Sequence, residues 1–358
     1  MNLDNIKKPT LLVDKAKAIK NIRLMKQKAE ASQVIFRPHF KTHQSAIVGE
    51  WHRSEGVSKI TVSSVSMAKY FVLHGWKDIT IAFPLNIREF TDIERLAKSI
   101  KLNVVISSEV HADFISKNNN SPIGVFIKID TGYHRAGLQI TETQTINKII
   151  RKLKTNKYTS FDGFIAHFGN TYLAKDEDEV RKIYQSSVYL LNQLKAEYFH
   201  DNPDLLISIG DTPSCSVLEQ FENIDEIRPG NFVYYDLTQK NLGSCLEEQI
   251  AVAVACPVID MNLIRNEILI YGGAVHLSKE YIIDILNNKS FGSIVTLHKT
   301  GWGKSIPNAY LKSISQEHGI VSIPKSSLEN FKIGDLIGVL PVHSCLSADL
   351  LKEIVVLE

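Results

Sequence analysis

The chain has 358 residues, and 44% of them are hydrophobic and 22% charged, which is typical of a globular protein. That length exceeds what one hydrophobic core usually serves, so we expect one large domain and a smaller one. The formal net charge of +2 gives no reason to expect nucleic acid or an anionic membrane as a partner.

The sequence carries no signal for a membrane or for secretion. No apolar run reaches the length of a membrane-spanning helix, and the first ten residues, MNLDNIKKPT, lack the apolar core of a signal peptide. The four cysteines are widely separated and have neither disulfide nor zinc-finger spacing: Cys215, Cys245, Cys256 and Cys345. We therefore expect a protein of the reducing cytoplasm.

Short apolar runs alternate with segments of helical spacing over the first two-thirds of the chain. The first run, residues 10–13, is a predicted strand that ends at Asp14, and apolar residues at helical spacing follow from Ala16 to Ala29. Further predicted strands are residues 34–36, 59–63, 78–83, 103–106, 124–129, 161–166, 205–209 and 225–228. The predicted helices between them are residues 46–51, 67–73, 87–100, 109–116, 141–154, 176–198 and 214–221.

Counted from Val34, eight strands alternate with helices within about 200 residues, which is the repeat of an eightfold barrel. Many of the strands are near-continuous apolar runs, the pattern of parallel strands buried on both faces. The sequence therefore predicts an α/β fold with a TIM-type (β/α)8 barrel. A doubly wound open sheet is the alternative, but no GxGxxG follows a strand to support dinucleotide binding.

The pattern changes after Asn241, where strands and loops replace the alternation with helices. The predicted strands are residues 249–258, 267–271, 293–297, 311–315, 320–323 and 336–340. We therefore predict a barrel domain over residues 15–240 and a β-rich domain formed by residues 1–14 and 241–358. The first strand goes to the β-rich domain because it precedes the first helix of the barrel.

Barrel enzymes place their chemistry at the carboxyl ends of the strands, and Lys41 follows the first predicted barrel strand. A lysine there can be desolvated, lose its proton more easily and act as an amine nucleophile. Small, flexible and donor-rich loops that each contain a glycine, residues 210–214 and 228–231, follow the seventh and eighth strands and suit a phosphate. Together these features point to pyridoxal 5′-phosphate (PLP), an aldehyde cofactor that carries a phosphate.

Five segments taken together resemble the D-serine dehydratase / D-threonine aldolase family: RPHFKTHQ, DTGYHRAG, GDTPS, RPGNFVYYD and PVHSCLSADL. That family has the alanine racemase fold, a TIM-like barrel with a β-domain. The resemblance implies that Lys41 is the Schiff-base lysine. It also implies cofactor contacts from Arg135, His167, Tyr172, Thr212, Gly230 and Asn231. Ile165 departs from the pattern, because relatives often have a tyrosine at that position.

A metal pair is predicted near the end of the chain, at His343 and Cys345. Residues two apart in an extended chain face the same side, and an imidazole with a thiolate suits Zn²⁺. The surrounding PVHSCLSADL is similar to the metal motif of the family, and its His-x-Cys form resembles the dehydratases, whereas the aldolases tend to show His-x-Asp. The thiolate also favours zinc over harder ions.

The resulting prediction is a PLP- and zinc-dependent lyase that eliminates water from a D-configured β-hydroxy amino acid such as D-serine. The products would be a 2-oxo acid and ammonia. Retro-aldol cleavage to glycine and an aldehyde, racemisation, and a non-catalytic PLP carrier are the alternatives. The fold implies a homodimer. The roles of five further polar residues stay open: His39, His43, His276, Gln316 and His318.

Overall fold

The structure, a computed structural model, describes residues 3–284 and 287–358, so the first two residues of the predicted β-rich domain lie outside it. The chain divides into two compact units. The β-rich unit comprises the described residues up to Ile22, Thr42–Gln44 and Asn231–Glu358, and the barrel unit comprises Arg23–Lys41 and Ser45–Gly230. Within the described ranges, no helix has both the length and the apolar composition needed to cross a membrane.

The strands are, in chain order, β1 (Thr10–Asp14), β2 (Ile35–Phe36), β3 (Ile60–Val62), β4 (Asp78–Pro84), β5 (Lys101–Ile106), β6 (Ile123–Lys128), β7 (Thr159–Ala166), β8 (Leu206–Ile209), β9 (Glu226–Ile227), β10 (Val252–Asn262), β11 (Glu267–Tyr271), β12 (Ile282–Ile283), β13 (Lys289–Ser290), β14 (Gly292–His298), β15 (Gly301–Ile314), β16 (His318–Ser322), β17 (Leu336–Pro341) and β18 (Ile354–Leu357). The helices are α1 (Lys15–Ala31), α2 (Ala46–Ser54), α3 (Val65–Leu73), α4 (Phe90–Ala97), α5 (Glu109–Asn118), α6 (Thr143–Lys154), α7 (Glu177–Tyr198), α8 (Thr212–Val217), α9 (Leu237–Asn241), α10 (Ala274–Leu277), α11 (Lys325–Leu328) and α12 (Ser344–Leu351).

In the barrel unit, eight of the described strands form one parallel sheet in the order β2-β9-β8-β7-β6-β5-β4-β3. The two edges of this sheet meet just after β2. The Thr61 N–H donates to the Pro38 carbonyl (2.9 Å), and the Phe40 N–H donates to the Thr61 carbonyl (2.8 Å). The sheet is therefore closed, which confirms the predicted TIM-type barrel over an open sheet.

Local sequence signals explain where the outer helices begin. Ser45, Ser64 and Ser108 have extended backbones, and each accepts a hydrogen bond from the N–H three residues later. These serines cap α2, α3 and α5 directly after the preceding strand or loop. The helices thus return along the outside of the barrel, and the loops after the strands gather at its carboxyl end.

The β-rich unit contains a sheet in the order β11-β16-β15-β14-β17-β10-β1-β18. β1 pairs antiparallel with β10 and parallel with β18, although it precedes the barrel in the chain. β15 is longer than the predicted strand at residues 311–315. The part before the predicted strand, GWGKSIPNAY, contains two glycines and a proline and lacks clean apolar alternation, which explains the difference.

Candidate active site

Lys41 lies directly after the closure of the barrel. The preceding Phe40 is fully buried and packs edge-on against Phe71 and Trp76, with ring centroids 4.9 and 5.0 Å away. The Lys41 N–H donates to His39 Nδ1 (3.3 Å), and this bond ties the main chain at Lys41 to the residue before Phe40. The Lys41 side chain is exposed, and burial by the protein therefore does not supply the desolvation expected from the sequence.

Three predicted cofactor contacts form what we call the phosphate cluster: Tyr172, Thr212 and Gly230. The Thr212 N–H donates to Tyr172 Oη and the Gly230 N–H donates to Thr212 Oγ1, both at 3.3 Å. Thr212 begins α8, which Asp211 caps by accepting from the Ser214 N–H (2.7 Å). Hydroxyl and main-chain N–H groups converge here, as a phosphate requires.

Glycine at position 210 allows the ends of β8 and β9 to approach closely. A Cβ at Gly210 would lie 2.9 Å from the Arg228 carbonyl oxygen and 2.9 Å from the Arg228 Cβ, which is too close for any other residue without a main-chain shift. The segments that carry Thr212 and Gly230 therefore meet because residue 210 has no side chain.

His167 binds the same loop, since its Nδ1 donates to the Gly210 carbonyl. Desolvation, and then the positive charges of Lys41 and Arg135, hold the pKa of His167 well below its usual 6.5, against the opposing effect of the hydrogen bond to Gly210. The imidazole is therefore neutral near pH 7. The Tyr133 ring meets it edge-on, with ring centroids 5.9 Å apart.

Arg135 lies over an aromatic ring. Its guanidinium carbon is 5.0 Å from the centroid of the Tyr133 ring. Asp130 holds the same loop, because its Oδ1 accepts from the main-chain N–H groups of residues 132, 133 and 134 at 2.9–3.0 Å. Arg135 is thus positioned through Tyr133, and its charge acts on His167.

Two further cations of this region were not predicted, Lys128 and Arg228. Burial, followed by the charges of Arg228 and Arg135, lowers the pKa of Lys128 to about 8. Arg228 is buried and donates to Ser208 Oγ and to the Ala166 carbonyl, each at 2.7 Å. The sequence contains a sign of both residues: Lys128 is the one charged residue in an apolar predicted strand, and Arg228 is the first residue of the RPGNFVYYD segment.

The residues of the barrel unit fit PLP. Lys41 supplies a primary amine, the phosphate cluster supplies hydrogen-bond donors, and the neutral, flat imidazole of His167 lies nearby. Lys41, Lys128, Arg135 and Arg228 form a positively charged environment for an anionic cofactor.

In the β-rich unit, the structure corrects the reasoning behind the metal pair, His343 and Cys345. The chain is not extended there, because β17 ends at Pro341, His343 is the N-cap of α12 and Cys345 lies in its first turn. The two side chains nevertheless form a hydrogen bond. Burial alone would lower the pKa of His343, but the hydrogen bonds to Cys345 and Glu280 raise it to about 11.

The sulfur of Cys345 has two further polar neighbours. Thr42 Oγ1, one residue after Lys41 in the chain, lies 3.2 Å from it, and Asn231 Nδ2 donates to it at 3.4 Å. Asn231 also donates to Asp236 Oδ2 (2.6 Å) and to Ser344 Oγ (3.0 Å). Its side chain therefore contacts the predicted metal pair, and the phosphate contact predicted for Asn231 stays a prediction.

The metal pair fits a site with two protein ligands. Across residues 3–284 and 287–358, no three or more His, Cys, Asp or Glu side chains are grouped as metal ligands. One imidazole and one cysteine sulfur are side by side, and the Asn231 amide donates to that sulfur. This donor set suits zinc.

The other polar residues left open by the sequence have local partners. His276 Nδ1 accepts from the Gly273 N–H (3.2 Å), and its Nε2 lies 3.6 Å from Glu317 Oε2. His318 lies on β16 opposite Tyr271, and the Gln316 carbonyl accepts from the Val275 N–H (3.2 Å). The contacts of the His276 ring indicate a structural role for that side chain within the β-rich unit, whereas the side chains of Gln316 and His318 are exposed and their roles stay open.

Comparison with known proteins identifies the family. Residues 13–238 match the sequence model of the alanine racemase N-terminal domain. The chain belongs to this family. Residues 251–357, which follow the racemase-like part, match a second model, described as a putative serine dehydratase domain.

Relatives of this alanine racemase-like chain extend over nearly its whole length. D-serine dehydratase from Dictyostelium discoideum is 29% identical, covering 98% of this chain and 93% of the relative. D-threo-3-hydroxyaspartate dehydratase from Delftia sp. (strain HT23) is 26% identical, covering 94% and 90%. A solved structure of a cysteine-to-alanine variant of D-threo-3-hydroxyaspartate dehydratase in the metal-free form matches with a TM-score of 0.91 at 24% identity, covering 99% and 96%. The fold and the family predicted from the motifs are confirmed.

Proposed function

We propose that this protein is a PLP- and zinc-dependent lyase that eliminates water from a D-configured β-hydroxy amino acid, giving a 2-oxo acid and ammonia. The relatives named as dehydratases of D-serine and of D-threo-3-hydroxyaspartate support this reaction class and make those two amino acids the first substrates to test. The observation that carries the proposal is the contact between His343 and Cys345, which offers two ligands for a metal. A metal can act on the leaving hydroxyl in an elimination, whereas racemisation gives it no task.

The barrel unit handles the amine and the α-proton. When bound, PLP supplies an electron sink for the electrons of the substrate's α-carbon. Lys41 Nζ would hold the aldehyde end of the cofactor, and once freed by the substrate amine it would be the base that takes the α-proton. The phosphate cluster would hold the phosphate of the cofactor, and His167, which is neutral, would adjoin it without adding a charge.

The β-rich unit handles the leaving hydroxyl. Hydroxide is a poor leaving group, and Zn²⁺ when bound supplies a Lewis acid for it. His343 and Cys345 would hold the ion, while the contacts of Thr42 and Asn231 with the sulfur would orient it. The related dehydratase variant was solved in a metal-free form, and that description supports a metal in this family of sites.

The proposal includes a homodimer in the cytoplasm. The four cysteines, all of which lie in the described residues, form no disulfide with one another, which is consistent with a reducing compartment. The mass of the purified protein, measured by light scattering, tests the dimer: a mass near twice 40.3 kDa supports it, and a mass near 40.3 kDa contradicts it.

The test is a product analysis with purified protein, PLP and Zn²⁺. D-serine and D-threo-3-hydroxyaspartate should each be offered, with L-serine as the stereochemical control. A 2-oxo acid and ammonia in equal amounts are expected. Glycine with an aldehyde from D-threonine would support the aldolase instead, and the enantiomer as sole product would support a racemase. Tight PLP binding without any turnover would support the carrier.

A further inference from the structure

We propose that Glu280 is a positioning residue for the metal pair, which orients the imidazole of His343 so that Nε2 is the nitrogen presented to the ion. This inference rests on the proposed zinc site. Glu280 lies in the segment between α10 and β12, and no motif in the sequence singles it out.

The hydrogen bond between the two residues defines which ring nitrogen is available. His343 Nδ1 lies 2.7 Å from Glu280 Oε2. An ionised carboxylate can only accept, so Nδ1 keeps its proton when a metal displaces the proton of Nε2. Nε2 then carries the lone pair that a metal requires, and a carboxylate behind a ligating histidine both fixes its tautomer and raises its basicity.

Both partners are held by the surrounding main chain. Ser278 has a φ of +70°, which turns the chain at the end of α10, and its Oγ accepts from the Glu280 N–H (3.2 Å). On the other side, the Ser344 N–H donates to Asp236 Oδ2 (2.9 Å), and the Ser347 N–H donates to the His343 carbonyl (3.2 Å). The contact therefore joins two segments that are each fixed independently.

A stabilising surface ion pair is the competing explanation for this contact. The side chain of Glu280 is 51% exposed and that of His343 is 31% exposed. Pairs at such exposure contribute little to stability. If the contact matters, its effect is on the orientation of the imidazole. Metal affinity should therefore respond to Glu280, while the stability of the metal-free protein should not.

A metal titration of the full-length protein, stripped of metal with a chelator, tests this inference. Zinc affinity is measured by competition with a chromophoric chelator. Glu280→Ala should weaken zinc binding by about 10- to 100-fold. Glu280→Gln keeps an acceptor but loses the charge, so its affinity should fall between wild type and Glu280→Ala. The matched control is Glu317→Ala, which removes a carboxylate that is 44% exposed and lies beside His276, and it should bind zinc like wild type.

Two further readouts separate orientation from folding. Cobalt(II) loading should give the thiolate-to-cobalt absorption band in wild type, and in Glu280→Ala this band should appear only at higher cobalt concentration. The thermal midpoint of the metal-free Glu280→Ala protein should equal that of Glu317→Ala. Wild-type zinc affinity in Glu280→Ala, or an equal loss in Glu317→Ala, would overturn the inference.

The same titration distinguishes this inference from the proposed function. If His343→Ala and Cys345→Ala bind zinc as tightly as wild type, the zinc site itself is wrong. If those two variants lose zinc while both Glu280 variants keep it, the zinc site stands and only the role of Glu280 fails.

Discussion

A buried ion pair inside the barrel allows a quantitative prediction. The Arg37 side chain is 5% exposed and that of Glu226 is fully buried, with Nε and Oε2 2.6 Å apart. Arg37 Nη1 also contacts Asp78 Oδ1 at 2.5 Å. The second carboxylate oxygen of Glu226 accepts from Ser208 Oγ (2.6 Å), whose oxygen in turn accepts from Arg228 Nε. Glu226 thus binds one buried cation directly and supports another through Ser208.

Glu226→Gln removes the charge and leaves Arg37 with Asp78 alone. Removing one partner of a buried pair costs roughly 3–5 kcal/mol. Because Asp78 remains, we expect the lower end, about 3 kcal/mol, and a fall in the thermal midpoint of roughly 6–12 °C for a domain of this size. The cost arises because the buried charge of Arg37 loses one of its two carboxylate partners, since Glu and Gln side chains have nearly the same volume.

Urea unfolding followed by circular dichroism, together with the thermal midpoint, measures this effect. Glu109→Gln is the matched control, because it removes the same charge from a pair with Lys148 whose side chains are 33% and 58% exposed. That change should shift the midpoint little. If Glu226→Gln is no more destabilising than Glu109→Gln, the reasoning about the buried pair is wrong.

Three further predictions concern the barrel. Burial lowers the pKa of His52 to about 4, so stability should be complete above pH 6.5 and fall by roughly 3 kcal/mol towards pH 4. His52→Asn should reduce this fall in stability below pH 6.5, measured as urea unfolding midpoints at each pH. An unchanged fall would show that His52 does not cause it. Gly210→Ala should weaken PLP binding at least tenfold in an absorbance titration, because the new Cβ displaces Arg228; wild-type affinity would show that the loops need not approach. Thr212→Val removes the oxygen that accepts from the Gly230 N–H. Loss of one hydrogen bond, worth about 1 kcal/mol, should weaken PLP binding about fivefold. Unchanged PLP binding would show that Thr212 is not part of the phosphate cluster.

The barrel could be predicted because its strands are apolar runs bounded by polar loops. The runs near residues 78–83 and 124–129 coincide with β4 and β6 to within one residue. The closure could not be predicted in this way. β2 has only two residues, and the hydrogen bonds that close the sheet join Pro38 and Phe40 to Thr61, more than 20 positions along the chain.

α12 was missed for a local reason. Its N-cap is His343, which makes no side-chain capping bond, so none of the usual serine, threonine or aspartate signals marks the start of this helix. The metal pair stays a prediction from the motif, and the extended geometry expected for it is wrong because Cys345 lies in the first turn of α12. Its neighbours were beyond prediction, because Thr42 and Cys345 are 303 residues apart and Glu280 and His343 are 63 apart.

The central claim is that elimination depends on zinc held by His343 and Cys345 as well as on PLP. The most direct measurement is the rate of 2-oxo acid formation from D-serine by the PLP-loaded protein before metal removal, after it, and after one equivalent of Zn²⁺ is returned. We predict loss of the rate on removal and recovery on addition. An undiminished rate in protein verified to be free of metal would contradict the account.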